Sequence, residues 1–272
     1  MRLTIRHETS YRYTAHAHYS IQHLRLTPRE EPHQHVLNWN IAAPGRLARF
    51  VDAYGNVAHT MVLSEPHEAI RLVVTGTLEI DPARQGRVEA GPGAGLSPLV
   101  FTVPTALTDP GGAVREFAAR HFRGAGRSAH FLGLAEAIRD AVEYQSGVTE
   151  VTSRAEDALA LGRGVCQDHA HIFIACCRSL GVPARYVSGY IDPGDTAHAA
   201  SHAWADVWLP DDGWLGIDIT NSQYTSERHC RLAIGRDYLS AAPVRGVRTG
   251  GGEETLEVSV AVRSSPVGSA NQ

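Results

Sequence analysis

The sequence predicts an α+β protein in which an N-terminal antiparallel β-sandwich precedes a mixed core of helices and antiparallel strands. Three observations support this class. Short alternating segments fill the first hundred residues, helical periodicity starts near Asp109, and strict alternation returns over residues 201–219. A length of 272 residues fits one large or two ordinary domains. We place the boundary near residue 105, giving a β-domain over 1–105 and a core over 106–272.

The first domain is predicted to consist of short strands separated by turn residues, of which Tyr54-Gly55-Asn56 is the clearest turn. Several short strands at this spacing are typical of an antiparallel sandwich. Residues 82–98 are rich in Gly, Pro and Ala and are expected to form a loop. The expected strands span residues 3–5, 21–26, 36–41, 57–63 and 72–80.

The core begins with segments whose apolar residues recur at steps of three and four, as in amphipathic helices. A longer helix follows from Cys166 and ends before Gly181 and Pro183, a glycine stop followed by a residue that cannot continue a helix. Strands are expected around Tyr186, Trp204 and Ile217, with a last core strand over 255–262. The earlier helices are predicted at 113–121, 131–144 and 155–161.

Cys166 is the candidate nucleophile because it opens this helix, directly after the tight entry at Gly164. A thiol in a first turn lies beside unpaired backbone N–H groups and the positive end of the helix dipole. Both favour the thiolate, which is the nucleophilic form of cysteine. A buried structural thiol is the alternative interpretation, and it is the one favoured for Cys176 and Cys177 in the apolar middle of the helix.

A base and its orienting carboxylate are predicted on the hairpin that follows. Residues 201–209 alternate, and so do residues 214–219 after the turn Pro210-Asp-Asp-Gly213. Folding about this turn places His202 opposite or diagonal to Asp218 on one face of the sheet. Asp206 shares that face and is the rival orienter, although it lies further along the strand. Cysteine, histidine and aspartate thus appear with the roles of a catalytic triad.

Two groups of motifs together point to one family. In the N-terminal half they are Asp52-Ala-Tyr-Gly-Asn56 and Pro104-Thr-Ala-Leu-Thr108. In the core they are Gly164-Val-Cys-Gln-Asp168, Ala184-Arg-Tyr-Val-Ser-Gly-Tyr190, Ser201-His-Ala-Trp204, Gly213-Trp…Asp218, Glu227-Arg-His229, Ile234-Gly-Arg-Asp-Tyr238, Gly250-Gly-Gly-Glu253 and Thr255-Leu-Glu-Val-Ser-Val260. With these motifs the chain resembles, over nearly its whole length, the bacterial transglutaminase-like proteins, which belong to the papain-like cysteine enzyme superfamily.

This resemblance implies a transglutaminase-like, papain-like core in which Cys166 is the nucleophile, His202 the general base and Asp218 its orienter. Two positions depart from the pattern. His169 stands where an aromatic such as Phe is expected, and Ile219 stands where Pro usually follows the Asp. His169 lies one helical turn from Cys166, so an effect on the titration of the thiol is expected.

Two tryptophans on the predicted catalytic face, Trp204 and Trp214, have two open interpretations. They line a substrate cleft, or they cap the edge of the core as amphipathic rings often do. The backbone N–H of Cys166 is the expected donor to an oxyanion, and a second donor does not emerge from the sequence.

Composition limits the partners. A net charge of -4 and a pI near 6.4 argue against nucleic acid or an anionic membrane. All 25 basic residues are Arg, so the chain has no lysine for isopeptide cross-linking of itself. With no apolar leader or membrane-length stretch and no paired cysteine motif, we expect a cytoplasmic protein. The expected partner is a peptide, protein or small amide substrate, and the oligomeric state stays open.

Three functional hypotheses remain. The first is a cysteine enzyme that forms a thioester on Cys166; water would make it a peptidase or amidase, and an amine would make it a glutamine amine transferase. The second is a catalytically silent binding or scaffold module. The third is a metal protein, because the chain has 15 histidines. Pairs such as His16 and His18 lack a second ligand pair, so neither a metal nor another cofactor is expected.

Overall fold

A computed structural model describes residues 1–82, 86–88, 96–122, 128–194 and 201–267. Its architecture is α+β, with two antiparallel sheets and a group of helices, as predicted. The strands are β1 (Arg2–Leu24), β2 (Gln34–Ala42), β3 (Leu47–Val51), β4 (Val57–Leu63), β5 (His67–Ile80), β6 (Arg87–Val88), β7 (Glu143–Tyr144), β8 (Arg163–Gly164), β9 (Ala184–Ile191), β10 (Ser201–Leu209), β11 (Gly213–Asp218), β12 (Gln223–Tyr224), β13 (His229–Gly235), β14 (Val244–Gly250) and β15 (Glu254–Ser265).

Three of the predicted helices lie where the sequence placed them, and the helix predicted at 131–144 spans Ser128–Ala141 because residues 143–144 form β7. A 3₁₀ turn at Pro98–Thr102 lies at the end of the segment predicted as a loop, and β6 lies within that segment. The remainder of this loop, residues 83–85 and 89–95, lies outside the described residues. None of the helices in the described ranges is long and apolar enough to cross a membrane. The α-helices are α1 (Gly112–His121), α2 (Ser128–Ala141), α3 (Ala155–Leu161), α4 (Cys166–Ser179) and α5 (Tyr238–Ala241).

The N-terminal strands form one curled sheet, which corrects the predicted sandwich. The strands predicted at 3–5 and 21–26 are the two ends of β1, a single strand of 23 residues. Its first half pairs with β5 and β15, and its second half pairs with β4 and β14. The register against β5 shifts between Arg12 and Ala17, so the two halves pair with different partners. Sharing one long strand keeps all seven strands in a single sheet.

The last strand was expected in the core, and the structure corrects this as well. Both β14 and β15 run antiparallel to β1 and complete the first sheet. The alternation of residues 255–262 predicted a strand but carried no information about its partner, since long-range pairing is decided by the fold. The chain therefore returns to its first sheet after building the core, and a boundary near residue 105 stays a prediction.

The second sheet has the order β12-β11-β10-β9-β13, with β6 beside β11. One face of β10, formed by Ala203, Ala205 and Val207, packs against the helices in the main core cluster. The central helix α4 is buried from Gln167 to Arg178. The opposite face of β10 is covered as well, because Trp204 and Asp206 on it are fully buried. The sheet is thus covered on both sides.

The space around two glycines predicts that substituting them by alanine changes the free energy of unfolding in opposite directions. A Cβ at Gly189 would overlap the Cys230 carbonyl oxygen and lie 2.5 Å from the Trp204 ring. Gly189→Ala should therefore lower the free energy of unfolding by about 3 kcal/mol. Gly133 lies inside α2 with open space around it, so Gly133→Ala should raise that free energy by up to about 1 kcal/mol. Urea unfolding measures both, and equal effects would contradict the packing described.

Candidate active site

The start of α4 is held in place by Asp168. Its Oδ2 accepts hydrogen bonds from the Val165 N–H at 2.8 Å and from Thr149 Oγ1 at 2.7 Å. A Cβ at Gly164 would lie 2.7 Å from the same oxygen, so the approach of the chain requires glycine there. This arrangement of residues 164–168 makes Cys166 the first residue of α4, as predicted. The Cys166 side chain is partly exposed.

The other three cysteines are buried and free. Burial raises the pKa of Cys176 to about 12, and burial likewise raises the pKa of Cys177 and of Cys230 well above the ordinary range. Thiols in this state are poor nucleophiles. Cys166 is therefore the cysteine whose position suits chemistry.

His202 lies between Cys166 and Asp218. Its side chain interacts with that of Cys166, and its Nε2 lies 2.9 Å from Asp218 Oδ1. This contact is an ion pair and does not meet the geometry of an aligned hydrogen bond. The pairing of Ala205 with Ile217 makes Asp218 diagonal to His202, which is the predicted arrangement. The structure thus brings the three predicted residues together.

Opposing effects set the charge of the His202–Asp218 pair. Burial lowers the pKa of His202, but the Asp218 charge and the contact with Cys166 outweigh it and raise this pKa to about 10. Burial raises the pKa of Asp218, but His202 and His229 outweigh it and hold this pKa well below its usual range. Asp218 is therefore ionised, and His202 retains its proton at neutral pH.

Two further residues hold the Asp218 carboxylate. Its Oδ2 accepts from Asn221 Nδ2 at 2.7 Å and from His229 Nε2 at 3.1 Å, and its Oδ1 accepts from the Asn221 N–H at 3.2 Å. Sequence reasoning assigned no role to either residue. Asn221 follows Asp218 by three residues, a spacing that favours local side-chain to backbone bonds. His229 lies on β13, whose position beside β9 is set by the fold.

The polar atoms of His202, Asp218 and His229 lie within 4.8 Å of one another, a spacing that also occurs in metal sites. The hydrogen bonds of His229 decide against that use. Its Nδ1 accepts the Ser226 backbone N–H at 3.1 Å, so the ring proton is on Nε2 and is donated to Asp218. A metal at Nε2 would require loss of this proton from a neutral imidazole. The cluster is therefore organised as a hydrogen-bonded network.

Asp206, the other candidate for orienting His202, forms ion pairs with two arginines instead. It forms ion pairs with Arg185, at 2.7 Å, and with Arg231. Burial raises its pKa, but the two guanidinium groups outweigh burial and lower this pKa to about 2. Arg185 also stacks 4.0 Å from the centroid of the Trp214 ring. Asp206 therefore serves a buried ion network, and Asp218 is the carboxylate that meets His202.

The expected effect of His169 on Cys166 stays a prediction, and the structure shows that the His169 ring is fixed at both nitrogens. Nε2 lies 2.9 Å from the Val142 carbonyl oxygen and Nδ1 lies 2.9 Å from Thr220 Oγ1. The carbonyl can only accept, so the proton is on Nε2 and Nδ1 accepts from the hydroxyl. Burial lowers the pKa of His169, so the ring is neutral. The residue ties α4 to the segment after Asp218.

The two predicted cleft tryptophans lie away from the described walls of the groove. Trp204 is fully buried, with its ring 5.4 Å from that of His229 and 6.1 Å from that of His202. Trp214 packs against Phe101 and Trp208. Both have the alternative role, as packing residues, because the second sheet is covered on the face that carries them.

A groove of about 290 Å³ contains both Cys166 and His202. One wall comes from the second sheet and α4, and the other comes from β1 and β15 of the first sheet. A second cavity of about 520 Å³ lies on the other side of His202 and is lined by polar residues such as Arg139, Asn221 and Arg228. His202 lines both cavities, whereas Cys166 lines only the groove.

Comparison with known proteins places these features in a family. The model of the bacterial transglutaminase-like N-terminal region matches residues 3–81, and that of the transglutaminase-like superfamily core matches residues 125–219. An uncharacterized protein of Mycobacterium leprae is 34% identical over 96% of this chain and 98% of its own. A protein-glutamine gamma-glutamyltransferase of Pseudomonas aeruginosa is 33% identical over 31% of this chain and 14% of its own.

A solved structure shows the same fold. The structure of a "Putative Cysteine Protease" from Cytophaga hutchinsonii superposes with a TM-score of 0.76 at 22% identity, covering 98% of this chain and 92% of its own. The family models and the full-length relative indicate the same family. The shared fold agrees with that family. The chain belongs to the transglutaminase-like superfamily, whose core it joins to a bacterial transglutaminase-like N-terminal region.

Proposed function

We propose that this protein is a cysteine peptidase or amidase that cleaves amide bonds through a thioester on Cys166. One observation carries the proposal. A partly exposed thiol at a helix start meets an imidazole whose other nitrogen lies 2.9 Å from a buried, ionised carboxylate. This combination of nucleophile, base and orienter is the arrangement that activates a thiol for acyl transfer.

In the first step the Cys166 sulfur attacks the carbonyl carbon of the substrate. An S–C bond forms, and the backbone N–H of Cys166 stabilises the charge that develops on the oxygen. The C–N bond then breaks. His202, which holds a proton at neutral pH, passes it to the departing amine, and Asp218 stabilises the imidazolium before the transfer.

Water resolves the thioester in the second step. His202, now neutral, takes a proton from water as the oxygen attacks the acyl carbon. The C–S bond breaks, the carboxylic acid leaves, and the proton returns to the Cys166–His202 pair. His229 and Asn221 act as positioning residues because they hold the Asp218 carboxylate and contact no reacting atom.

An amine in place of water would make the same protein a glutamine amine transferase, the activity named for the Pseudomonas aeruginosa relative. We favour hydrolysis because water is in vast excess and an amine must be bound to compete. A silent scaffold has less support, since a triad member would then be expected to be lost.

We propose peptides, proteins or small amides as substrates and the cytoplasm as the location.

Labelling of the four thiols tests the nucleophile. At neutral pH, iodoacetamide should modify Cys166 in preference to Cys176, Cys177 and Cys230, because burial raises the pKa of those three thiols. The rate at Cys166 should fall sharply in His202→Ala. Peptide mass spectrometry after timed quenching measures both effects. Equal modification of all four cysteines in folded protein would contradict the assignment.

The two buried aspartates should respond differently to Asp→Asn. Asp218→Asn removes the charge beside His202, so alkylation of Cys166 should slow at least about tenfold. Asp206→Asn leaves the buried guanidinium of Arg185 without its carboxylate and leaves Arg231 with Glu31 alone, so it should lower the free energy of unfolding by about 3–5 kcal/mol. Its alkylation rate per folded molecule should change little. The reverse ranking of the two alkylation rates would assign the orienting role to Asp206.

The products formed from a glutamine-containing peptide library distinguish water from amine. Mass spectrometry should find cleavage or deamidation with and without cadaverine, and little incorporation of the amine. The Cys166→Ala variant is the control for contaminating activity. Incorporation that exceeds hydrolysis would favour the amine transferase, and no conversion of any peptide would favour the scaffold.

A further inference from the structure

The groove beside Cys166 takes one of its walls from the first sheet. On β1 this wall consists of His7, Thr9 and Tyr11, and on β15 it consists of Leu256 and Val258. The pairing sets Tyr11 beside Leu256 and Thr9 beside Val258. Partners in an antiparallel pair share a face, so these side chains are all directed toward the catalytic half of the molecule. A substrate in the groove must lie against them.

This wall carries no formal charge. Among the described residues that line the groove there is no Arg, Asp or Glu, and the chain contains no Lys. Burial lowers the pKa of His7 to about 4, so its ring is neutral at physiological pH. The cavity on the other side of His202 differs, since Arg139, Asp192 and Arg228 contribute to its lining. The two cavities that meet at His202 therefore differ in the charge of their linings.

Two apolar side chains on this wall remain open to solvent. Leu256 is 51% exposed and Val258 is 53% exposed, although both line the groove that holds the nucleophile. Within the described residues, β15 pairs with β1 alone, so its other edge has no partner strand. Apolar surface next to a reactive group is the usual character of a binding pocket. Its continuity with Cys166 identifies the occupant as the substrate.

We propose that Leu256 and Val258 bind an uncharged apolar side chain adjacent to the amide that Cys166 attacks. The substrate class is then an extended peptide with a branched aliphatic or aromatic residue beside the scissile amide. Acidic and basic residues at this position are disfavoured, because they would lose hydration without gaining a partner. This inference rests on the proposed function, and it gives the first sheet the role of selecting the substrate.

Covalent labels with different side chains test the selection without knowledge of the natural substrate. The probes are acetyl-Gly-Leu-chloromethyl ketone, whose Leu occupies the position beside the scissile amide, and its counterparts with Glu or Arg in place of Leu. The rate at which each modifies Cys166 is measured by mass spectrometry and divided by the iodoacetamide rate of the same protein sample. The Leu label should react about tenfold faster than either charged label. Equal relative rates for all three would overturn the subsite.

Substitutions on β15 test which residues determine the preference for the Leu label. Val258→Arg should slow the Leu label several-fold and accelerate the Glu label, and Leu256→Asp should instead accelerate the Arg label. Val247 is 68% exposed on β14 and does not line the groove, so Val247→Arg is the matched control and should retain the preference for Leu. An unchanged preference in both β15 variants would overturn the inference. Failure of iodoacetamide to modify Cys166 in wild type would instead overturn the proposed nucleophile.

Discussion

The buried carboxylate of Asp218 is the constraint on which the site depends. A carboxylate without solvent is costly unless hydrogen bonds and opposite charge replace its hydration. Asn221, His202 and His229 supply these contacts, from the following turn and from two other strands. Because all three must converge on one side chain, the carboxylate fixes how β10, β11 and β13 sit relative to one another. That convergence directs the imidazole of His202 toward the thiol.

A second buried ion network joins the two sheets. Arg231 on β13 pairs with Asp206 on β10 and with Glu31, which lies in the connection after β1, at 2.9 Å. Gln34 accepts from the Arg231 N–H at 2.8 Å and donates to its carbonyl at 3.0 Å. Replacing any one partner would leave a buried charge unmatched. The network therefore holds the first sheet against the core, which keeps β1 and β15 beside Cys166.

The histidines near the site differ in their roles because their hydrogen bonds differ. His169 donates to a backbone carbonyl and His229 accepts from a backbone N–H, so each has a fixed proton position and a packing or positioning role. His202 meets a thiol and a carboxylate, both of which favour its protonated form. Histidine therefore has a structural role at positions 169 and 229 and carries a proton at position 202.

The sequence by itself determined the parts of this protein that depend on local chemistry. The helix start at Cys166, the hairpin that sets Asp218 diagonal to His202 and the helical segments from residue 112 onward all follow from periodicity and turn residues over short distances. These signals are local because neighbouring residues in a helix or hairpin are in direct contact. Motif resemblance then indicated the family for nearly the whole chain.

Only the tertiary structure decided which distant segments meet. It merged two predicted strands into β1, moved the last strand from the core to the first sheet and buried Trp204 under His202 and His229. It also brought His229 to Asp218 and gave the groove a wall from β1 and β15. Strand alternation specifies which side chains share a face but not which strand lies alongside. That choice is made by long-range packing and by the pairing of buried charges.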